Sequence, residues 1–522
     1  MLELLEWGKK GGDEAAGPGS DPNSAGAALA GPGGAAATVL AELGAQLKAD
    51  AGAAAEPKAR IAALARIQDS GASHVSTLLA QYLANAAGTH AAREAAWTSL
   101  ADYQSRLAQA LCALAGAQLT LLSAARALQA LRTLAKLHLV HYAGVPAKLW
   151  RVAYAIHAGT ENAGYSTTPV HAQSGHRTTV ELEFLRLLML RASAPDMMAP
   201  EQIEVADRVV EQLGAEFTLR QPGVADNPFC FEPESESPPQ RAQGRPPSGT
   251  ARYFGPGLGY GSLERIARQL GAGKLEDFKA FGKDLAPGAQ LSAVQHLLAF
   301  WRVDCPYAPP AYAPAAGTLQ VVHGYHHVWQ YLSESRQGVR ELSLADSPAA
   351  APQPPENWEL RGAGGNELGA QVPQASRVWA KCGAVVGLSM RDGERWIGVI
   401  RRMHALPEGG LQADVAVLSR APQARSLHEM AEMGEERAVS DAASRAFAFA
   451  GVNAVIVADG ADGAQPANMM LPANNWREGR IYELQAQDES RYLRGLQAVR
   501  RGDDFVRATF EWVSAPDELP QL

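Results

Sequence analysis

The sequence predicts an α+β protein in which a helical N-terminal bundle is followed by two small antiparallel β-barrels. Alanine and leucine dominate residues 36–219, and their apolar side chains recur with a spacing near that of an α-helix. Residues 385–419 instead alternate apolar and polar side chains around tight turns, which is typical of antiparallel strands. A second set of strand-like runs follows at 450–513. Short consecutive strands favour closed barrels, because closure removes unpaired sheet edges.

Changes in composition divide the chain into segments. The predicted segments are a flexible leader at 1–35, a helical domain at 36–219, a linker at 220–251, a helical connector at 252–301, a first barrel at 302–420, a charged insert at 421–446 and a second barrel at 447–522. The leader is rich in Gly, Ala, Pro and Ser, so it buries too little apolar surface to offset the entropy of ordering. Glu3 and Glu6 interrupt its short apolar start, which argues against a signal peptide.

Composition and charge restrict the class of protein. The chain is 47% hydrophobic and 20% charged, which is enough for large apolar cores. Its net charge of −8 argues against broad electrostatic binding to nucleic acid or to anionic lipid. The four cysteines lie far apart and form no Cys-x-x-Cys pair, so neither a zinc knuckle nor a disulfide framework is indicated. We therefore expect a cytoplasmic protein with reduced thiols.

The longest helical pattern lies in the middle of the predicted bundle. The leucines that share one face there are Leu107, Leu111, Leu114, Leu121, Leu128 and Leu131. Residues 107–125 carry no charge, a length that approaches a membrane span. Gln118, Thr120 and Ser123 interrupt this run, so we interpret it as one long central helix of a bundle rather than a span. Pro146 is expected to begin the following helix.

Several histidines occur in groups that could suggest a metal site. They are His138 with His141, His171 with His176, and His323 with His326 and His327. The pairs have no acidic residue or third ligand nearby in the sequence. The triplet is predicted to continue a strand that starts at Thr318, where His326 and His327 would point to opposite faces. We therefore expect no metal.

The start of the first barrel carries a resemblance to a known family. Trp358 is followed by Arg361-Gly362-Ala363-Gly364-Gly365 and Leu368, and this run resembles the signature strand of PilZ domains. Those domains are small barrels that bind the bacterial second messenger cyclic di-GMP. Other stretches resemble a longer, divergent bacterial PilZ-like form with a helical N-terminal half, namely 398–402, 418–423, 470–473 and 505–512. The resemblance extends over about residues 36–512 and implies a pair of PilZ-like barrels.

The binding motif departs from the family pattern, which is Asp/Asn-x-Ser-x-x-Gly preceded by an Arg-x-x-x-Arg arm. Leu360 stands at the Asp/Asn position and Gly362 at the Ser position, so only Gly365 agrees. The stretch at 301–312, where the arm is expected, holds a single arginine, Arg302. Guanidinium groups bind phosphates and guanine edges bidentately. The resemblance therefore implies Arg302, Arg361, Gly362 and Gly365 as candidate nucleotide-binding residues of a degenerate site.

The sequence contains no recognisable catalytic arrangement. Neither a Gly-x-Ser-x-Gly elbow nor a His-Glu-x-x-His motif occurs, so we expect no enzyme and no cofactor. The favoured interpretation is a cytosolic regulatory or scaffold protein whose degenerate barrel serves as a partner-binding adaptor. The alternative is a cyclic di-GMP-binding effector, with cyclic di-GMP as its ligand. A protein partner is expected in either case, and nucleic acid or a membrane span in neither.

Overall fold

Helices dominate the chain up to Ala308 and β-barrels dominate it from Pro309 onward, which confirms the predicted α+β class. The two parts are separate compact units. The structure, a computed structural model, describes residues 32–51, 56–84, 89–172, 175–221, 227–242, 249–273, 281–305, 312–333, 353–390, 394–430, 451–458, 467–486 and 489–514. Most of the predicted leader, residues 1–31, lies outside these ranges.

The first unit is built mainly from helices that bury their leucine-rich faces. These helices are α1 (Pro32–Ala51), α2 (Pro57–Leu83), α3 (His90–Ala117), α4 (Leu121–Val140), α5 (Ala147–Asn162), α6 (Val180–Ala192), α7 (Pro200–Leu213), α8 (Gly259–Gly271) and α9 (Pro287–Trp301). Helix α1 starts within the last residues of the segment that was expected to be a leader. Pro146 immediately precedes α5, which confirms its predicted place at a helix start. Among the helices that the structure describes, none is both long and apolar enough to cross a bilayer.

The predicted long central helix is in fact two helices, α3 and α4. The side chain of Thr120 accepts a hydrogen bond from the Ser123 amide at 3.1 Å, and Ser123 Oγ accepts one from the Thr120 amide at 3.0 Å. This reciprocal capping box satisfies amides that a new helix leaves unpaired. The leucine spacing continues across the break, so periodicity alone did not reveal it.

A group of buried charges connects α4 and α7. Lys136 Nζ lies 2.8 Å from Asp207 Oδ2 and 2.9 Å from Glu204 Oε2. Arg132 Nε lies 3.4 Å from Asp207 Oδ1. Burial alone would raise the pKa of the Asp207 carboxyl, but the charges of Arg132 and Lys136 outweigh this effect and lower it. The bundle therefore contains specific charge pairs as well as leucine packing.

The segment expected to be a linker contributes to a small antiparallel sheet. After the two-stranded pair β1 (Val170–His171) and β2 (Arg177–Thr178), the strands are β3 (Thr218–Arg220), β4 (Phe229–Phe231), β5 (Gln240–Arg241) and β6 (Arg252–Gly255), in the order β3-β6-β4-β5. Phe229, Phe231 and Phe254 are buried, and Phe254 is fully inaccessible. The proline and serine residues around these strands favoured the prediction of a loop. The aromatic side chains on the strands, however, supply enough apolar area for the sheet to fold against the helices.

The first barrel of the second unit is closed by six antiparallel strands. They are β7 (Ala313–His323), β8 (Glu356–Gly364), β9 (Glu367–Val372), β10 (Val385–Ser389), β11 (Trp396–Ala405) and β12 (Leu411–Ser419). Their order around the barrel is β7-β8-β9-β12-β11-β10, and β10 pairs with β7 to close it. Gly409 and Gly410 have φ angles of 88° and 102° in the turn before β12, a conformation that favours glycine and that the predicted Gly-Gly turn requires.

A short helix, α10 (Tyr325–Ser333), follows β7 where a continuing strand was predicted. The strand ends at His323, and Gly324 turns the chain with a φ of 80°. Asp504 then accepts a hydrogen bond from the Tyr325 amide, at the helix N-terminus, where carboxylates stabilise the unpaired amides. His326 and His327 thus lie on a helix, and the prediction that they alternate on a strand was wrong.

The second barrel repeats the strand order of the first. Its strands are β13 (Gln423–Glu429), β14 (Val452–Ala458), β15 (Ala467–Pro472), β16 (Ile481–Ala486), β17 (Glu489–Arg501) and β18 (Phe505–Val513), in the order β13-β14-β15-β18-β17-β16. Strand β13 lies in the stretch that was predicted to be a charged insert. Most of its side chains are polar, but Leu427 points into the core of the barrel. The remainder of that stretch, from 431, lies outside the described residues.

An apolar layer joins the two barrels and α10. Tyr325 and Val328 of α10 belong to this layer, together with Val399 of the first barrel and with Met470 and Phe505 of the second. The Tyr325 hydroxyl donates to the Met470 carbonyl oxygen across the layer. The two barrels therefore form one packed body within the second unit.

Candidate functional site

The signature strand β8 and the turn that follows it hold three of the four candidate residues: Arg361, Gly362 and Gly365. Strand β8 pairs with β9, and the register shifts between Leu360 and Gly362, so that Arg361 is the extra residue of a bulge. A bulge redirects side chains locally. The Arg361 guanidinium is exposed, lies 3.3 Å from Glu359 and donates to the Gln371 side chain. It therefore stands on the outer face of the first barrel.

Gly362 makes room for a side chain of the same chain. A Cβ atom built on Gly362 would lie 2.2 Å from Cδ2 of Tyr312, and one built on Gly369 would lie 2.6 Å from the Tyr312 hydroxyl. Gly362 and Gly369 are cross-strand partners in the sheet. The Tyr312 ring therefore covers a pair of glycines on the outer face. The close approach that we expected for a ligand at Gly362 is made by Tyr312.

The Tyr312 phenol reaches a buried carboxylate on β12. Its hydroxyl donates to Asp414 Oδ1 at 2.9 Å, and the Gln412 amide donates to the same oxygen at 2.9 Å. Asp414 is 3% exposed, and its other oxygen, Oδ2, has no hydrogen-bond partner among the described residues. Burial and the nearby carboxylate raise the pKa of the Tyr312 phenol, so it remains a hydrogen-bond donor at neutral pH.

The sheet register places these groups on one face. Asp414 pairs with Gly369, Gln412 pairs with Gln371, and the core residues between them alternate to the inside. On the other side of β12, Arg402 is the cross-strand partner of Asp414. Cross-strand partners stand side by side on one face of a sheet. The outer face thus presents a guanidinium, a carboxylate and an amide within neighbouring strands, and we name this group, with Tyr312 and Arg361, the outer-face cluster.

The turn between β8 and β9 holds the remaining signature glycine. Gly365 has a φ of 54°, and a Cβ atom there would meet no other atom within 4 Å. The agreement of Gly365 with the family pattern therefore reflects a turn conformation that favours glycine. Arg420 donates to the Gly365 carbonyl oxygen, with its guanidinium 5.0 Å from the Trp396 ring centroid. This arginine places a further positive charge beside the turn.

Arg302, the fourth candidate residue, lies in the first unit, immediately after α9. Its guanidinium lies 2.7 Å from the Asp304 carboxylate, and the resulting hydrogen bond and charge attraction raise the pKa of Arg302. Both side chains are exposed. Arg302 thus has a local acidic partner, whereas the outer-face cluster belongs to the second unit.

Sequence reasoning missed four members of the cluster: Tyr312, Arg402, Gln412 and Asp414. Gln412 and Asp414 occupy outward positions of an alternating strand, where polar side chains are ordinary, so the sequence carried no signal that they are buried. Their burial depends on Tyr312, which is remote in sequence. Across the described ranges, no three His, Cys, Asp or Glu side chains lie close enough to share a metal ion.

The comparison with known families agrees with the resemblance seen in the sequence. Residues 25–223 match the family model described as the N-terminal domain of the cyclic-di-GMP receptor FimW. No curated protein and no solved structure gives a significant match to the chain. The family match confirms the resemblance to cyclic di-GMP effectors with a helical N-terminal half, and the two closed six-stranded barrels fit the PilZ-like interpretation of the C-terminal half.

Proposed function

We propose that this protein is a cyclic di-GMP receptor that regulates a protein partner. The observation that carries the proposal is the match of residues 25–223 to the N-terminal domain of a cyclic di-GMP receptor. This match favours the effector alternative over the adaptor that the degenerate signature suggested. A receptor of this kind acts by binding, so we also propose that it is no enzyme, needs no cofactor and works in the cytoplasm.

The outer-face cluster supplies the chemistry that such a ligand requires. Cyclic di-GMP carries two phosphate charges, which Arg361 and Arg402 suit as bidentate donors. Guanine presents N–H groups that a carboxylate or an amide oxygen accepts. The signature strand lacks such a group, but Asp414 and Gln412 provide a carboxylate and an amide on the same face. In this proposal the guanine base takes the position of the Tyr312 ring and pairs with Asp414.

One observation supports a second candidate function, that of a non-binding adaptor. Tyr312 fills the surface over Gly362 and Gly369 and satisfies Asp414 Oδ1 from within the chain. A ligand must therefore displace a hydrogen bond and a packed ring, which lowers its affinity by the free energy of that displacement. In the adaptor function, this closed face would contact a protein partner without nucleotide.

Calorimetric titration of the full chain with cyclic di-GMP at two salt concentrations separates the two functions. A receptor at the outer-face cluster should show salt-dependent binding that Arg402→Ala weakens by roughly 10- to 100-fold, since one charge-assisted contact contributes about 1.5–3 kcal/mol. Asp414→Asn should weaken binding while leaving its salt dependence unchanged.

The matched control is Arg494→Ala, because Arg494 pairs with Glu511 at 3.1 Å on the second barrel. It should bind like the natural chain. Absence of heat with the natural chain up to millimolar ligand would reject the receptor and leave the adaptor. Binding that ignores Arg361→Ala, Arg402→Ala and Asp414→Asn would place the nucleotide outside the outer-face cluster.

A further inference from the structure

A row of side chains on the second barrel faces the junction with the first barrel. Arg507 of β18 is the cross-strand partner of Arg500 on one side and of Met470 on the other. Direct partners of an antiparallel pair point to the same face, with their Cβ atoms about 4.5–5.5 Å apart. Met470 is fully buried in the apolar layer that joins the two barrels. Arg507 and Arg500 therefore continue outward from that layer along the barrel junction.

The guanidinium groups at this junction have few acidic partners. Among the described residues Arg500 makes neither a hydrogen bond nor an ion pair, and Arg507 donates to the neutral Asn468 side chain at 2.8 Å. Arg401 of the first barrel lies close enough to repel Arg500 and pairs with Glu367 at 2.9 Å. Of these three guanidinium groups, only that of Arg401 has a carboxylate partner among the described residues.

The pKa of Arg500 agrees with this shortage of negative charge. Desolvation lowers it first, and the charges of Arg401 and Arg507 lower it further, while nearby Cys382 acts in the opposite direction. The Arg500 side chain is nevertheless exposed, so its desolvation is partial and its charge is retained. The geometric basis of the site is the cross-strand pairing of Arg500 with Arg507.

An ordinary solvated strand face is the alternative explanation for these arginines. Two other arginines of the second barrel do have acidic partners. Arg494 pairs with Glu511 at 3.1 Å and Arg480 with Glu429 at 3.3 Å. Like charges directly opposite each other destabilise a sheet, so an anion bound between Arg500 and Arg507 would stabilise this pair.

We propose that the barrel junction binds a phosphate dianion between Arg500 and Arg507. Each guanidinium offers a fork of N–H donors that matches two phosphate oxygens. The site shares no residue with the outer-face cluster, and the inference does not depend on the proposed cyclic di-GMP binding. The phosphate is either free inorganic phosphate or the terminal phosphate of a nucleotide.

Thermal melting of the full chain tests this site, with inorganic phosphate compared with chloride at equal ionic strength. Phosphate should raise the Tm by several degrees in the natural chain and in Arg494→Gln, and should have no effect in Arg500→Gln or Arg507→Gln. Without phosphate, Arg500→Gln should melt higher than the natural chain, because one repelling charge is removed. A variant that merely misfolds would melt lower, so the two outcomes are distinguishable.

Titration with guanosine monophosphate identifies the source of the phosphate. A lower midpoint concentration than that of inorganic phosphate assigns the site to a nucleotide, and an equal or higher midpoint assigns it to the free ion. Arg361→Ala should leave both titrations unchanged, which separates this site from the outer-face cluster. Equal effects of phosphate and chloride, or a phosphate effect that persists in Arg500→Gln and Arg507→Gln, would overturn the proposal.

Discussion

The phenol of Tyr312 donates a hydrogen bond of 2.9 Å to the carboxylate of Asp414, which lies 102 residues further along the chain. Tyr312 precedes the first strand of the first barrel, and Asp414 lies on the last. The contact covers Gly362 and Gly369 and removes Asp414 from water. It therefore closes this face of the first barrel from within the chain.

Removing the phenolic hydroxyl should destabilise the first barrel. Tyr312→Phe withdraws a donor from a buried carboxylate, and such a loss typically costs about 1–3 kcal/mol. We expect a lower denaturant midpoint for the second unit, followed by near-UV circular dichroism. Tyr492→Phe is the control, because the Tyr492 hydroxyl makes no hydrogen bond within the described part of the chain. Equal midpoints for the two variants would show that Asp414 does not depend on Tyr312.

The contact between Gly362 and Tyr312 should appear as energetic coupling. Gly362→Ala places a methyl group 2.2 Å from a Tyr312 ring carbon and should cost about 1–3 kcal/mol, the range for overpacking. In a Tyr312→Ala background the same substitution should cost little. Gly365→Ala is the matched control, because its strain comes from a positive φ and should be the same in both backgrounds. Additive losses at Gly362 and Tyr312 would contradict the predicted packing.

Neutralising a buried carboxylate in the helical unit should be strongly destabilising. Asp207→Asn leaves Lys136 and Arg132 without a full partner, and breaking such a buried pair typically costs about 3–5 kcal/mol. Far-UV circular dichroism during urea unfolding measures the loss. Asp102→Asn is the control, because Asp102 is exposed and its pair with Arg106 spans 3.5 Å. A loss no larger than that of Asp102→Asn would show that the charges near Asp207 rearrange freely.

The helical unit should lose stability as the pH falls from neutral. Burial lowers the pKa of His157 to about 4, and the ring stacks on Phe184 with centroids 4.3 Å apart. As the pH falls, His157 therefore binds a proton near pH 6.5 in the unfolded state but only near pH 4 in the folded state. Stability should fall across this window by at most about 1.4 kcal/mol per pH unit from this residue.

Urea unfolding at several pH values measures that slope. His157→Phe keeps an aromatic ring beside Phe184 and should reduce the slope between pH 6.5 and 4. His171→Gln, which changes an exposed histidine, should leave it unchanged. An unaltered slope in His157→Phe would mean that this histidine titrates alike in the folded and unfolded chain.

Local sequence patterns predicted the fold class because burial on one side imposes a period on the side chains. The leucine spacing of residues 107–131 and the alternation of 411–417 each reflect one buried face. Gly409 and Gly410 predicted a turn because few other residues adopt their φ angles. These signals depend only on neighbours within a few positions, so they are readable without the tertiary structure. The predictions were wrong near Thr120 and Tyr325. At both positions a capping interaction marks the start of a helix, and the spacing of apolar residues does not reveal it.

The sequence by itself determined that helices precede two barrels and that the signature strand lacks its usual polar side chains. Only the tertiary structure decided that Asp414 and Gln412 stand beside that strand, that Tyr312 covers it, and that Arg500 faces Arg507. The physical reason is that cross-strand neighbours depend on register, and a bulge such as that at Arg361 shifts the register without a sequence signal. Burial of a polar residue at an outward strand position likewise depends on which distant side chain packs over it.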